Sequence, residues 1–392
     1  MVSQVEYNQI AHSEDVQQFG NILAQCFLGS PDEITLYLNR IGHENLRIIR
    51  QGEQVVGGLE MLSMGQWWGG QHVPMTGIGG VGIAPEYRGT GAAIAMMQHA
   101  LKELHTNGVP ISVLYPATQR LYRKVGYEQG GILCEWEVPT QSIHLKEQLL
   151  PIKSVVPINH AVFHDLYQQQ AKLNNGNLDR NQVIWKNVFL SNKKETLYAY
   201  LLGSADHSQG YVIFSQHQDA DGSFIQVKDW VVLTAAAAQT FWSFLANHRS
   251  QIKKVRWKGS SVDFLSLLLP EQTVKQRFTK RWMLRILNVV KALEKRGYPS
   301  EIQAELHLEV RDDLLADNNG RFILSVVNGS GKVSNGGKGE LKLNITGLAS
   351  LYTGLFTPHQ LQLAGQLEAT DVSLSVASQI FAGASPWMAD FF

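Results

Sequence analysis

The sequence predicts an α/β protein made of three successive blocks, and three observations predict it. Residues 15–136 alternate helix-periodic and strand-like segments. Residues from about 150 to 285 repeat the pattern of a strand leading directly into a helix. Within residues 286–392, Glu301–Val310, Arg321–Val327 and Glu340–Ile345 alternate apolar and polar positions with period two, as half-buried strands of an α+β domain do. At 392 residues the chain exceeds one ordinary core, so two or three domains are expected. The boundaries read as 1–140, 150–285 and 286–392.

In the first block Val16, Phe19, Ile22, Leu23 and Cys26 fall on one face of a helix over Asp15–Phe27. Leu46–Arg50 and Gln54–Met64 read as strands joined by a turn at Gln51-Gly52, and Gly69-Gly70 reads as a further hairpin turn. The next strand ends near Ala84 and is stopped by Pro85. Ile94, Met97, Leu101 and Leu104 then mark a helix that closes at Asn107-Gly108 and Pro110, leaving His99 and Lys102 on its exposed side. Ile111–Tyr115 is a short apolar strand, Thr118–Lys124 a short helix, and the chain from Tyr127 to Trp136 is extended.

Pro139, Pro151 and Pro157 punctuate a connecting region. Thr196–Leu202, Tyr211–Phe214 and Val227–Leu233 read as strands and Ala235–Asn247 as a helix. The third block starts near Arg285. Glu301–Val310, Arg321–Val327 and Glu340–Ile345 read as strands, Asn328–Gly339 as a turn region, and Gly347–Gly354 and Pro358–Leu363 as helices. The chain closes on Phe391 and Phe392, whose burial is expected to hold the end in place, at about 1.5–3 kcal/mol each.

Composition removes several function classes. With 34 basic and 34 acidic residues there is no cationic excess for a nucleic acid. No apolar run approaches the roughly 20 residues that span a bilayer, so no membrane partner is expected. Met1–Ser13 is polar and carries Glu6, unlike a secretory signal. Cys26 and Cys134 share no metal or disulfide spacing and read as ordinary buried thiols in a reducing cytoplasm. His72, His99 and His105 share no ligand spacing, and no metal is expected.

Chemistry concentrates in Val81-Gly82-Ile83-Ala84-Pro85-Glu86-Tyr87-Arg88-Gly89-Thr90-Gly91-Ala92-Ala93-Ile94. A strand stops at a proline, and a glycine-rich turn opens a helix. Such a turn aims backbone N–H groups at one point, and the helix N-terminus adds partial positive charge, which suits a pyrophosphate. Gly89 and Gly91 let phosphate oxygens approach, and Arg88 shapes the turn or stays near the anion. A plain strand-to-helix turn is the alternative. Gly77-Ile78-Gly79-Gly80-Val81-Gly82 matches a dinucleotide fingerprint formally, but it runs on into Ile83-Ala84-Pro85 and not into a helix.

Downstream lies Leu121-Tyr122-Arg123-Lys124-Val125-Gly126-Tyr127-Glu128. With the turn, this resembles the GCN5-related N-acetyltransferase family. The family's coenzyme turn has Arg or Gln, Gly three residues on and Gly or Ala two further, met here by Arg88, Gly91 and Ala93. Its second signature, a Tyr shortly before a Gly-aromatic pair, is met by Tyr122, Gly126 and Tyr127 with one residue more between. Over its full length the chain resembles the enhanced intracellular survival (Eis) family. That resemblance implies an N-terminal acetyltransferase fold, a second degenerate copy and a sterol-carrier-like C-terminal α+β domain. It implies acetyl-CoA as co-substrate, a small amine such as an aminoglycoside as acceptor, and a homo-oligomer, a hexamer in that family.

The same resemblance implies roles. Val81, Gly82 and Ile83 would pair with the pantetheine arm, and the backbone of Gly89, Thr90, Gly91, Ala92, Ala93 and Ile94, next to Arg88, would hold the pyrophosphate. Tyr122 would protonate the leaving thiolate. The α-carboxylate of Phe392 would be the base, ionised at neutral pH because such groups titrate at about 3.3–3.7. Tyr127 reads as core and Tyr115 stays open; Trp67 and Trp68, near a hairpin, read either as lining for an acceptor pocket or, more commonly for such residues, as core or interface. Asp390 reads either as an attractor for a cationic amine or as a solvated carboxylate. A protein lysine or a polyamine as acceptor, and an acyl-CoA or lipid binder without turnover, remain alternatives.

Overall fold

The computed structural model describes residues 6–190, 195–204 and 206–392, so Met1–Val5 of the polar N-terminal stretch lie outside the described residues. The first block folds as β1 (Glu6–Gln9), α1 (Ser13–Phe27), α2 (Pro31–Ile41), β2 (Leu46–Gln51), β3 (Gln54–Trp68), β4 (Gln71–Ile83), α3 (Ala92–Thr106), β5 (Ile111–Leu114), α4 (Gln119–Arg123) and β6 (Glu128–Pro139). The middle block gives β7 (Ile152–Ser154), α5 (His164–Lys172), β8 (Leu178–Asp179), α6 (Gln182–Val188), β9 (Leu197–Ser204), β10 (His207–Asp219), β11 (Gly222–Val232), α7 (Ala235–Ala246), β12 (Lys254–Gly259) and β13 (Lys275–Ile286). The last gives α8 (Val289–Lys295), β14 (Ala304–Arg311), β15 (Gly320–Val327), β16 (Ser330–Asn335), β17 (Leu341–Asn344), α9 (Ile345–Thr353), α10 (Pro358–Leu363), β18 (Leu367–Ala369) and α11 (Asp371–Ile380). These elements pack into two compact units. One holds Met1–Gly130, Trp282–Gly383 and Phe392, the other Gly131–Arg281 and Ala384–Phe391.

In the first unit the strands lie in the order β1-β2-β3-β4-β5-β13, and β4/β5 is the parallel pair among them. Adjacent residues of a strand face opposite ways. Gly58 and Gly82, opposite each other in the β3/β4 register, leave room for Phe19 and Leu23 of α1. Leu59 and Ile83 join the core that α3 fills with Met96, Met97, Ala100, Leu101 and Leu104. The same unit carries a second sheet, β16-β15-β14-β17-β18. Helix α9 is buried along its length and starts where the Asn344 side chain accepts the Gly347 N–H at 2.9 Å. The buried Arg285 guanidinium donates to both oxygens of buried Asp312 at 2.8 Å, and Asp312 also accepts from the N–H groups of Leu314 and Leu315.

The second unit orders its strands β6-β12-β11-β10-β9-β7 around Phe241, Trp242, Trp257 and Trp387. The tail from Ala384 is fixed by buried polar bonds. The Trp387 N–H donates to the Asn175 carbonyl at 3.0 Å, and Asn177 Nδ2 donates to the Trp387 carbonyl at 2.9 Å. Arg180, itself buried, donates to Asp229 at 2.7 Å and to Asp390 at 3.0 Å.

Several expectations need correction. Asn328–Gly339 is not all turn. Asn328 and Gly329 adopt φ of 49° and 74°, and β16 then pairs antiparallel with β15. Its polar sequence, mostly solvent-facing, is held by main-chain pairing and not by an apolar pattern. Phe391 is 53% exposed, under the ammonium of Lys280 at 4.9 Å, while Phe392 alone is buried. Consecutive side chains of an extended tail point opposite ways, so one of the two faces outward. Asp390 is not solvated: it is buried and accepts from Arg180, whose guanidinium it shares with Asp229. Cys26 is half-buried and not buried. Helix α2, signalled by the Ser30 cap and Pro31, and α11, signalled by Thr370, stood outside the sequence reading.

Removing one partner of the Arg285–Asp312 pair leaves a buried, uncompensated charge. Asp312→Ala is expected to destabilise the protein by about 3–5 kcal/mol, read as a lowered denaturation midpoint. An unchanged midpoint would show that the pair carries no structural weight.

Candidate functional site

The site begins with a strand that loses one neighbour. Strand β4 pairs with β3 from Gln71, opposite Trp68, to Ile83, opposite Gly57. It pairs with β5 only at Met75↔Ile111, Thr76↔Ser112 and Gly77↔Val113. Among the described residues, no strand pairs with the β5-facing edge of β4 beyond Gly77. Buried main-chain groups need partners, so this edge suits an extended ligand bearing amides of its own. Val81 is half-buried, and Gly82 and Ile83 are buried, along that edge. The Ile83 carbonyl is already engaged, accepting from Arg88 Nε at 3.2 Å and from Cys26 Sγ at 3.6 Å.

Pro85 then ends the strand in a tight turn. The Tyr87 N–H donates to the Ala84 carbonyl, the Arg88 N–H to Pro85, and Thr90 Oγ1 to the Tyr87 carbonyl at 2.7 Å. Gly89 and Gly91 take φ of 79° and 94°, and a methyl group on either would meet nothing within 4 Å. The glycines are therefore required by backbone conformation and leave the face of the turn open. Gly91 caps α3 with no side-chain bond. The N–H groups of Ala92, Ala93 and Ile94 have no intrahelical acceptor and carry the positive end of a 15-residue helix. This arrangement fits a diphosphate. Arg88 braces the turn, since its Nη2 lies 3.3 Å from Cys26 Sγ while its Nε holds Ile83. The corresponding turn of the middle block differs: the Thr234 side chain accepts the Ala237 N–H at 3.1 Å and fills the start of α7.

The glycine run 77–82 lies within β4, which rules out the strand-turn-helix context of a dinucleotide fingerprint. Its glycines make room. A methyl at Gly77 would stand 2.5 Å from the Phe392 ring, and one at Gly79 would stand 2.0 Å from Glu60 Oε1 and 2.8 Å from the carboxyl carbon of Phe392. Phe392 is 7% exposed, its ring edge-on to Tyr115 with centroids 6.4 Å apart.

Tyr122 sits elsewhere in this unit, in the core cluster that holds Ile83, Ala92 and Met96, with Val81, Ala93 and Ile94 packed against it. It is 4% exposed, and burial pushes its phenol up to about 12. Its ring meets Tyr127 edge-on, and Tyr127 bonds Ser112 Oγ at 2.8 Å as a core residue. Gly126, at φ 91°, lets the Arg285 guanidinium pass where a methyl would come within 2.7 Å. Trp68 is core, packed on Trp282 and Tyr352. Among the described residues no three His, Cys, Asp or Glu side chains converge as a metal site.

Glu60 escaped the sequence reading. It lies on β3 opposite Gly79, 1% exposed, with Tyr37 of α2 donating to its Oε1 at 2.5 Å and no partner for its buried Oε2. Burial pushes its carboxyl up to about 7, against the opposing pull of the Tyr37 bond and the Arg40 charge. A signal existed: Glu60 is the one charged residue in the otherwise apolar, Gly- and Ser-containing stretch Val55–Met64.

Residues 8–130 and 176–286 each match an acetyltransferase (GNAT) domain family, and residues 289–389 match a sterol carrier protein domain. A crystal structure of a GCN5-related N-acetyltransferase from Anabaena variabilis is 59% identical, covers 99% of this chain and 100% of that chain, and superposes with a TM-score of 0.97. One from Kribbella flavida is 28% identical, covers 99% and 98%, and gives a TM-score of 0.86. N-acetyltransferase Eis of Mycobacterium tuberculosis is 24% identical over 371 residues, 89% of each chain.

The raised Glu60 carboxyl makes stability depend on pH. The folded protein keeps that proton up to about pH 7, and an unperturbed carboxyl loses it near 4.5. The contribution is therefore complete below pH 4.5 and is lost as pH rises through about 7. Denaturation midpoints measured across this range are expected to fall with rising pH in the wild type and to fall less in Glu60→Gln. Equal slopes would contradict the assignment.

Proposed function

The chain belongs to the GCN5-related N-acetyltransferases, as an Eis-like member, and from that premise we propose that it moves the acetyl group of acetyl-CoA to a primary amine of a small cationic acceptor, aminoglycoside-like, by direct attack in a ternary complex. The observation that carries this reading is the open edge of β4 leading into a turn whose amides and helix end are uncapped. An extended pantetheine with its own amides matches the first feature, and a pyrophosphate matches the second. Val81, Gly82 and Ile83 are assigned to the pantetheine arm, with the engaged Ile83 carbonyl leaving the other main-chain groups for it. The backbone of Gly89, Thr90, Gly91, Ala92, Ala93 and Ile94, braced by Arg88, is assigned to the pyrophosphate.

The neutral amine attacks the thioester carbonyl, and the nitrogen's proton passes to the α-carboxylate of Phe392. The carbon–sulfur bond breaks, and the thiolate takes the phenolic proton of Tyr122. Tyr122 supports this role by staying protonated at neutral pH, with its titration pushed up to about 12. Solvent returns the proton from the carboxyl group to the phenolate. A single attack needs no covalent enzyme intermediate, and holding both reactants together supplies much of the rate.

The division at 1–140, 150–285 and 286–392 is supported by the family matches to 8–130, 176–286 and 289–389. A reducing cytoplasm is supported by two unpaired cysteines. A homohexamer is carried on resemblance. The sterol carrier match favours one second reading, an acyl-CoA or lipid binder without turnover.

A panel of amines with acetyl-CoA, followed by thiol release and product mass, decides between them. The wild type is expected to release thiol with at least one small polyamine or aminoglycoside. Tyr122→Phe should lower kcat about 10²-fold or more, and a residue added after Phe392 should abolish turnover. Tight acetyl-CoA binding with no thiol release across the panel would favour the binder.

A further inference from the structure

A lone α-carboxylate, titrating at about 3.3–3.7, is a weak base for an amine, and general bases work best when their pKa lies near the operating pH. The surroundings of Phe392 address this mismatch. The terminal carboxyl carbon and Glu60 Oε1 both crowd the α-carbon of Gly79, at 2.8 Å and 2.0 Å from where a methyl would stand, so the two carboxyl groups are direct neighbours. Glu60 is 1% exposed. Its Oε1 is taken by Tyr37, and its Oε2 is buried without a partner. The charged and titratable groups around it are Tyr37 and Arg40 from α2 and the Phe392 carboxyl itself, while Tyr115 of the β5 end faces the Phe392 ring. Arg40 stands over the Tyr37 ring at 5.4 Å and supplies a positive charge beyond it.

We propose that Glu60 and the Phe392 carboxyl group form a coupled carboxyl pair that accepts one shared proton, with Glu60 as the positioning residue that makes the terminal carboxylate an effective base. Two carboxylates side by side in a buried site do not both ionise readily, so the pair releases its second proton late. Burial already works in this direction on Glu60, pushing it up to about 7. The fully ionised pair takes the nitrogen's proton as the N–C bond forms and then holds it between the two carboxyl groups. The thiolate takes Tyr122's proton as the C–S bond breaks, and solvent carries one proton from the pair to the phenolate afterwards. The glycine at 79 is part of the device, because any side chain there would separate the two carboxyl groups. The inference rests on the reading of Phe392 as the base.

The test uses the full chain labelled with phenylalanine carrying 13C at the carboxyl carbon. Only the terminal carboxyl among those carbons titrates. In the wild type its midpoint is expected one pH unit or more above the ordinary α-carboxyl range. Glu60→Gln should return it to that range. Tyr37→Phe, which removes a hydrogen bond from the charged form of Glu60, should move it further up. The acid limb of kcat/KM should follow these shifts, and in Glu60→Gln kcat should fall about tenfold or more with little change in KM for the amine. If Glu60→Gln does not fold, the opposite shift in Tyr37→Phe carries the test. A wild-type terminal carboxyl that titrates as an ordinary α-carboxyl, or one that neither variant moves, overturns the pair. Retained turnover after a residue is added beyond Phe392 would instead overturn the reading of Phe392 as the base, and the NMR titration separates the two failures.

Discussion

Strand β4 leaves its parallel neighbour β5 after Gly77, and the rest of the first unit is arranged around that divergence. A strand paired on one side carries a row of main-chain donors and acceptors that burial makes expensive to leave unmet. The protein answers with glycines. Gly77 and Gly79 clear the face of β4 for Phe392 and Glu60, Gly82 clears it for Leu23 of α1, and Gly89 and Gly91 bend the chain into α3 without covering the amides. A methyl group at Gly77, Gly79 or Gly82 would collide with Phe392, Glu60 or Leu23, whereas Gly89 and Gly91 are required by backbone conformation alone. The same reasoning separates the two acetyltransferase-like blocks. Helix α3 begins uncapped, whereas Thr234 caps α7 with its own hydroxyl and leaves less for an anion to bind.

Buried charge organises the surroundings. Arg180 holds Asp229 and Asp390 inside the second unit, and its guanidinium lies 3.8 Å from the centre of the Tyr167 ring. Asp390 is thus part of how the tail is held and is not a reagent. Arg285 plays a comparable part in the first unit. It faces Asp312 and passes over Gly126, where both the φ of 91° and the passing guanidinium require a glycine before Tyr127. Burial lowers the Arg285 pKa, and the Asp312 carboxylate opposes that shift. Neither arrangement involves the face of β4 on which Phe392 rests.

Legibility varied with the range of the interaction. Helices α1, α3 and α7 and strands β2 to β5 were readable because each carries its own period and its own stop signals, such as Pro85 and Asn107-Gly108. Strand β16 was not readable, because its polar residues are ordered by the main chain of β15 and contain no apolar alternation. Phe391 and Phe392 looked alike as residue types, and only the path of the tail turned one inward and the other out. Glu60 is one carboxylate in an apolar strand, and its meaning depends on Gly79 across the register and Tyr37 from another helix.

The amino-acid sequence by itself determined the α/β class, the family resemblance, the glycine turn proposed for the coenzyme and the candidate phenol, because those rest on local spacing that a single stretch of chain carries. The tertiary structure decided which carboxylates become neighbours, that Asp390 is spent on Arg180, and that the glycine run serves clearance and not a dinucleotide. Such facts depend on side chains separated by up to several hundred residues meeting in a low-dielectric interior. There, proximity and burial, and not residue type, set charge state and role.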